Sequence, residues 1–86
     1  MTRSYIKSYI KTRCGSNLTA WADHVNFRTK ETTGRIEVSP VMRGENRYNV
    51  AIIAYYGDSM KTTTEYLGVS FTRAVQLFYD WENHKN

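Results

Sequence analysis

The chain has 86 residues, with twelve Lys/Arg against eight Asp/Glu, a formal net charge of +4 and one cysteine. That length holds one small core and no second catalytic lobe, a lone cysteine excludes an intrachain disulfide, and no run nears the roughly 18 apolar residues of a membrane span. The expectation is a single cytoplasmic domain over residues 1–86 with no membrane partner; Met1-Thr2-Arg3-Ser4-Tyr5 lacks the apolar core of a secretory signal.

The surplus charge is local. Arg3, Lys7, Lys11 and Arg13 lie without an acidic neighbour, whereas residues 14–86 carry eight Lys/Arg and eight Asp/Glu and cancel. In this segment Ser-Tyr-Ile-Lys occurs twice in succession, at Ser4 to Lys7 and Ser8 to Lys11. A period of four suits a helix, with Tyr5, Ile6, Tyr9 and Ile10 in one apolar arc and Arg3, Lys7 and Lys11 opposite. It also suits a strand, with Tyr5, Lys7, Tyr9 and Lys11 on one face. The arc and the stop at Gly15 favour a helix for the basic arm 1–14; the strand propensity of Tyr, Ile and Thr keeps the alternative open.

Ser16 reads as the N-cap of a second helix, with Leu18, Trp21 and Val25 on one face, fading near Thr32-Thr33-Gly34. The period then changes. Ile36 and Val38 alternate with Arg35, Glu37 and Ser39 as a half-buried strand, which Pro40 places at an edge or a bulge. After a turn at Arg43-Gly44-Glu45-Asn46, Tyr48, Val50, Ile52, Ala54 and Tyr56 alternate along a central strand. Gly57-Asp58-Ser59 turns the chain into a third strand at Thr62 to Leu67. Gly68 breaks that run, and Ser70 caps a final helix in which Phe71, Ala74, Val75, Phe78 and Trp81 recur at helical spacing. The predicted fold is α+β: a three-stranded antiparallel meander packed against the C-terminal helix, with one or two N-terminal helical elements.

No residue set points to catalysis. Cys14, His24 and His84 lack the paired spacing of a zinc site, so neither metal nor cofactor is expected. Asp80 and His84 could meet on the last helix but have no nucleophile beside them, and adjacent helical residues such as Asp23 and His24 diverge by about 100°. Gly57 and Gly68 belong to no phosphate-cradling run. The candidate surface consists instead of Arg3, Tyr5, Lys7, Tyr9, Lys11 and Arg13 on the arm, with Arg47, Asn49 and Tyr55 on the central strand, opposite Tyr48, Val50 and Ile52. Four phosphates neutralised by the arm would give a salt slope of about 3.6.

The run Arg47-Tyr48-Asn49-Val50-Ala51-Ile52, followed by a short turn, Tyr66-Leu67-Gly68, Ala74 and Tyr79-Asp80, resembles the three-stranded-sheet-plus-helix DNA-binding domain of plant ethylene-response factors and phage integrase arms. That resemblance, over residues 47–81, implies a sheet that reads the major groove, with Arg47 and Asn49 facing DNA and Leu67-Gly68 leading into the helix. The leading expectation is a non-enzymatic nucleic-acid-binding protein with DNA the favoured partner. The alternative is a phage- or mobile-element-encoded inhibitor, of anti-CRISPR or similar anti-defence type, that binds a host protein complex handling nucleic acid. Both use exposed tyrosines, and an exposed edge strand would also allow a homodimer.

Overall fold

The computed structural model describes residues 1–41, 46–57 and 60–83. Most of the turn expected at Arg43-Gly44-Glu45-Asn46 lies outside the described residues, as do Asp58, Ser59 and His84. The elements run α1 (Arg3–Gly15), β1 (Ala20–Val25), β2 (Thr32–Pro40), β3 (Tyr48–Tyr56), β4 (Met60–Val69) and α2 (Phe71–Asn83). The four strands form one antiparallel sheet in the order β1-β2-β3-β4.

The basic arm is helical. Thr2 caps α1 by accepting from the Tyr5 amide at 3.1 Å, and Ile6, Ile10 and Cys14, four residues apart, form its buried stripe. Burial pushes the Cys14 thiol pKa up, and its Sγ donates to the Val38 carbonyl at 3.6 Å. This thiol belongs to the core. The helix ends where Asn17 takes a left-handed φ of 61° and the Leu18 amide returns to the Arg13 carbonyl at 2.9 Å.

The second helix expected after Ser16 does not form, and the sheet therefore has four strands rather than three. Ser16 closes α1 instead, its amide donating to the Thr12 and Arg13 carbonyls. Leu18, Trp21 and Val25, the residues that suggested a helical face, are 48%, 41% and 46% exposed. What is buried is the alternating pair Ala20 and Ala22, opposite Val38 and Ile36. Small side chains there let α1 lie close to the sheet, a tertiary reason for alanine that overrides its helix propensity. Pro40 is likewise not on an edge strand. It ends an interior strand two residues beyond the Ala20–Val38 pair, where β1 no longer runs alongside.

The core lies between sheet and helices. Ala20, Ala22, Ile36, Val38 and Val50 from one face of the sheet meet Ile6 and Ile10 of α1 and Ala74, Val75, Leu77 and Phe78 of α2. Ser70 caps α2 as expected, accepting from the Arg73 amide at 3.2 Å. The two helices run antiparallel side by side: Arg3 reaches Gln76 and Tyr79, while Lys11 reaches Phe71. Near the other end of α2, Trp81 lies over Gly34 and stacks on His24, with ring centroids 3.6 Å apart and planes 6° apart. Among the described residues no helix is long and apolar enough to cross a membrane.

Tyr9 ties α1 to the outer edge of β1. Its hydroxyl donates to the Trp21 carbonyl at 2.9 Å and accepts from the Trp21 amide at 3.1 Å, occupying both main-chain groups of that residue. Tyr9→Phe leaves both without their partner while preserving the ring's edge contact with Phe78. A loss of about 1 kcal/mol in denaturant-unfolding free energy is expected, since exposure to water at this edge offsets part of the two lost bonds. A neutral result would mean that the hydroxyl merely replaces water.

Candidate nucleic-acid interface

Helical geometry divides the arm's charges between two flanks of the buried stripe. Arg3, Lys7 and Lys11 follow one another at four-residue spacing along the flank facing α2, and Tyr5, Tyr9 and Arg13 along the flank facing β1. They border the apolar stripe rather than opposing it. Arg3 Nη1 donates to Gln76 Oε1 at 2.6 Å and its guanidinium lies 4.3 Å from the Tyr79 ring centroid; Lys11 Nζ lies 5.6 Å from that of Phe71. Lys7 is exposed. None of these three makes an ion pair among the described residues. Gln76, the partner of Arg3, also donates to Asp80 at 2.7 Å.

Arg13 stands apart. Its Nε donates to the Thr19 carbonyl at 3.0 Å, which holds the α1–β1 connection. Tyr5 is exposed and stacks on Tyr9, with centroids 6.2 Å apart. The first group thus supplies charge, while Tyr9 and Arg13 fasten α1 to β1.

Arg47 and Asn49 meet at a distortion of the sheet. Tyr48 pairs with Val69 and Val50 with Tyr66, so Leu67 and Gly68 of β4 stand against Asn49 alone. Gly68 takes a φ of 65°, as the bulge requires. The Asn49 side chain accepts from its amide at 3.0 Å, and Arg47 donates to its carbonyl at 3.3 Å. Both side chains secure the approach to α2, although Arg47 remains exposed and keeps other donors.

The sheet face turned away from the helices carries chemistry that the sequence reading missed. Alternation and register place Trp21, Glu37, Ala51 and Glu65 in one row, and Asp23, Arg35, Ile53 and Thr63 in the next; Tyr55 and Lys61 follow. Arg35 bonds both Asp23 oxygens, at 2.6 and 3.1 Å, approaches Glu37 at 3.7 Å, and covers the Trp21 ring at 4.6 Å. The Asp23 hydrogen bond holds the Arg35 guanidinium above its ordinary pKa. Among the described residues this face sets Asp23, Glu37 and Glu65 against Arg35 and Lys61, with the exposed Arg47 continuing the β3 alternation at its far end, so its charges balance. The excess positive charge therefore lies in the helical layer. The signal for this network was in the alternation of Arg35 and Glu37; what it lacked was β1, and with it Trp21 and Asp23.

A second missed feature is the β1–β2 turn. Asn26 Oδ1 accepts from the Arg28 and Thr29 amides at 2.9 and 3.3 Å, and the Lys30 amide donates to the Asn26 carbonyl at 2.8 Å. The turn presents Phe27 86% exposed beside Arg28 and Lys30. In an antiparallel meander alternate turns share an end, so exposed Tyr56 and Met60 of the β3–β4 hairpin project at the same end.

Comparison of the chain with family models, with curated proteins and with solved structures finds no match.

Proposed function

We propose that the protein is a non-enzymatic nucleic-acid-binding protein that grips phosphates through the α1 flank bearing Arg3, Lys7 and Lys11. The observation that carries this reading is the alignment of these cations, without acidic partners among the described residues, in a layer whose charge the balanced open face of the sheet does not offset. Four helical residues rise about 6 Å, so the three charges span about 12 Å, enough to follow several phosphates along one strand. Packing on Tyr79 and Phe71 restrains Arg3 and Lys11 before contact and lowers the entropy lost on binding. DNA is favoured over RNA by the resemblance of residues 47–81 to sheet-plus-helix DNA-binding domains.

With three phosphates neutralised, the salt slope is about 2.7, or roughly forty-fold in affinity between about 50 and about 200 mM salt. Fluorescence anisotropy with duplex and single-stranded oligonucleotides checks this. The combined R3Q/K7Q/K11Q variant is expected to lose salt-dependent binding, and R13Q to retain it. No salt-dependent binding at micromolar protein, with circular dichroism showing folded protein, would reject the proposal.

A second reading rests on Phe27, since an aromatic ring held almost wholly in solvent on a hydrogen-bonded turn suits a pocket on another protein. In that reading the chain is an inhibitor of a host complex, of the phage or mobile-element type, and the α1 cations attract an acidic surface. Binding to a candidate complex that F27A abolishes and R3Q/K7Q/K11Q leaves intact would favour it.

A further inference from the structure

The two edges of the sheet are treated differently. On β1, Tyr9 occupies the outward groups of Trp21. On β4 no side chain among the described residues bonds the main chain from Met60 to Leu67. Residues Met60 to Glu65 are exposed on both sheet faces, because the helices lie over β1, β2 and β3 and reach β4 only from Tyr66 onward, where Arg73 covers the Tyr66 ring. A ten-residue edge strand without proline, its first six residues open on both sides, is a template for another strand.

The charges of β4 choose what that strand is. We propose that β4 pairs with β4 of a second copy, antiparallel, about a two-fold axis at Thr63. In this register Lys61 stands opposite Glu65 of the second copy and Glu65 opposite Lys61 of the second copy, on the open face. On the helix side Thr62 stands opposite Thr64, and Met60 opposite Tyr66. Neighbouring registers lose the match. Centring on Thr62 puts Lys61 opposite Thr63, centring on Thr64 puts Glu65 opposite Thr63, and centring on Glu65 sets the two carboxylates against each other. Opposite charges and β-branched pairs directly across strands are favourable, like charges unfavourable, so one register satisfies every pair from Met60 to Tyr66. The interface is isologous and closed, and gives a continuous eight-stranded sheet with all four helices on one side. It is independent of the nucleic-acid reading.

Sedimentation equilibrium tests the pairing. The wild-type chain is expected to dimerise with rising concentration. K61E and E65K should each weaken the dimer about tenfold or more, since each turns two attractive contacts into two repulsive ones. The K61E/E65K double variant restores both pairs with reversed polarity and should recover the wild-type constant. The register has its own check: T63C faces itself across the axis and should form a reducible dimer on oxidation, whereas K61C, facing Glu65, should not. A folded monomer at submillimolar concentration overturns the proposal and leaves β4 to a strand of another protein. A dimer indifferent to K61E and E65K, or one that T63C does not cross-link, overturns it in favour of another surface.

Discussion

Phe78→Ala is expected to leave the protein barely folded. The Phe78 ring is 0% exposed and is the largest fully buried side chain; it meets the edge of Tyr9 at 6.1 Å between centroids. It thus joins α2 to α1 within the core shared with β2 and β3. Truncating a buried phenylalanine costs about 3–5 kcal/mol, whereas a domain's whole stability is about 5–15 kcal/mol and small domains lie low in that range. Alanine's better helix propensity returns only about half a kcal/mol, so the cavity decides the outcome. Chemical denaturation followed by circular dichroism should show a large fall in midpoint, with Phe78→Leu falling distinctly less. A loss below about 1 kcal/mol would mean that Phe78 is not the centre of this core.

Gly34→Val carries the next largest expected effect, and here two tendencies oppose each other. Valine suits a strand better than glycine by up to about 1 kcal/mol. A Cβ at Gly34, however, would stand 3.2 Å from the Ile53 carbonyl oxygen and 3.4 Å from the Trp81 ring. The oxygen belongs to the backbone of an interior strand and cannot step aside cheaply. The indole can move only by leaving its stack on His24. Overpacking of this kind costs about 1–3 kcal/mol, and valine's second branch adds to it, so the net change is destabilising. Near-ultraviolet circular dichroism should lose the Trp81 signal together with a lowered unfolding midpoint. A variant as stable as wild type would show that α2 can lift from β2 at no cost.

The parts of the fold that were legible in the sequence are those where one periodicity acted alone. Val50 and Ile52 of β3 repeat at two, Ala74, Val75 and Phe78 of α2 repeat at helical spacing behind a Ser70 cap, and each segment reports the face it buries. Residues Ala20 to Val25 were illegible because their pattern serves a neighbour. Ala20 and Ala22 are small so that α1 can approach, and Trp21 is large on the open side to receive Arg35. Without β1 the sequence offers Arg35 as one more surface cation. The candidate site was half legible for the same reason. The repeat located Arg3, Lys7 and Lys11, but only the position of α2 decides that they share a flank while Arg13 is spent on the Thr19 carbonyl. Arg47 and Asn49 looked like free contact residues because the bulge at Gly68 that engages them is a property of strand pairing.

Among the described residues the helical layer sets Arg3, Lys7, Lys11, Arg13 and Arg73 against Asp80 and Glu82 while the open sheet face balances, which gives the molecule a dipole across its thickness, with its positive end at α1. A polyanion approaching from any direction exerts a torque on such a body within a Debye length of about 8–10 Å, turning the helices forward before the surfaces touch. Fewer encounters are then wasted on the wrong orientation. Two copies joined along β4 would point the same way, so their moments would add.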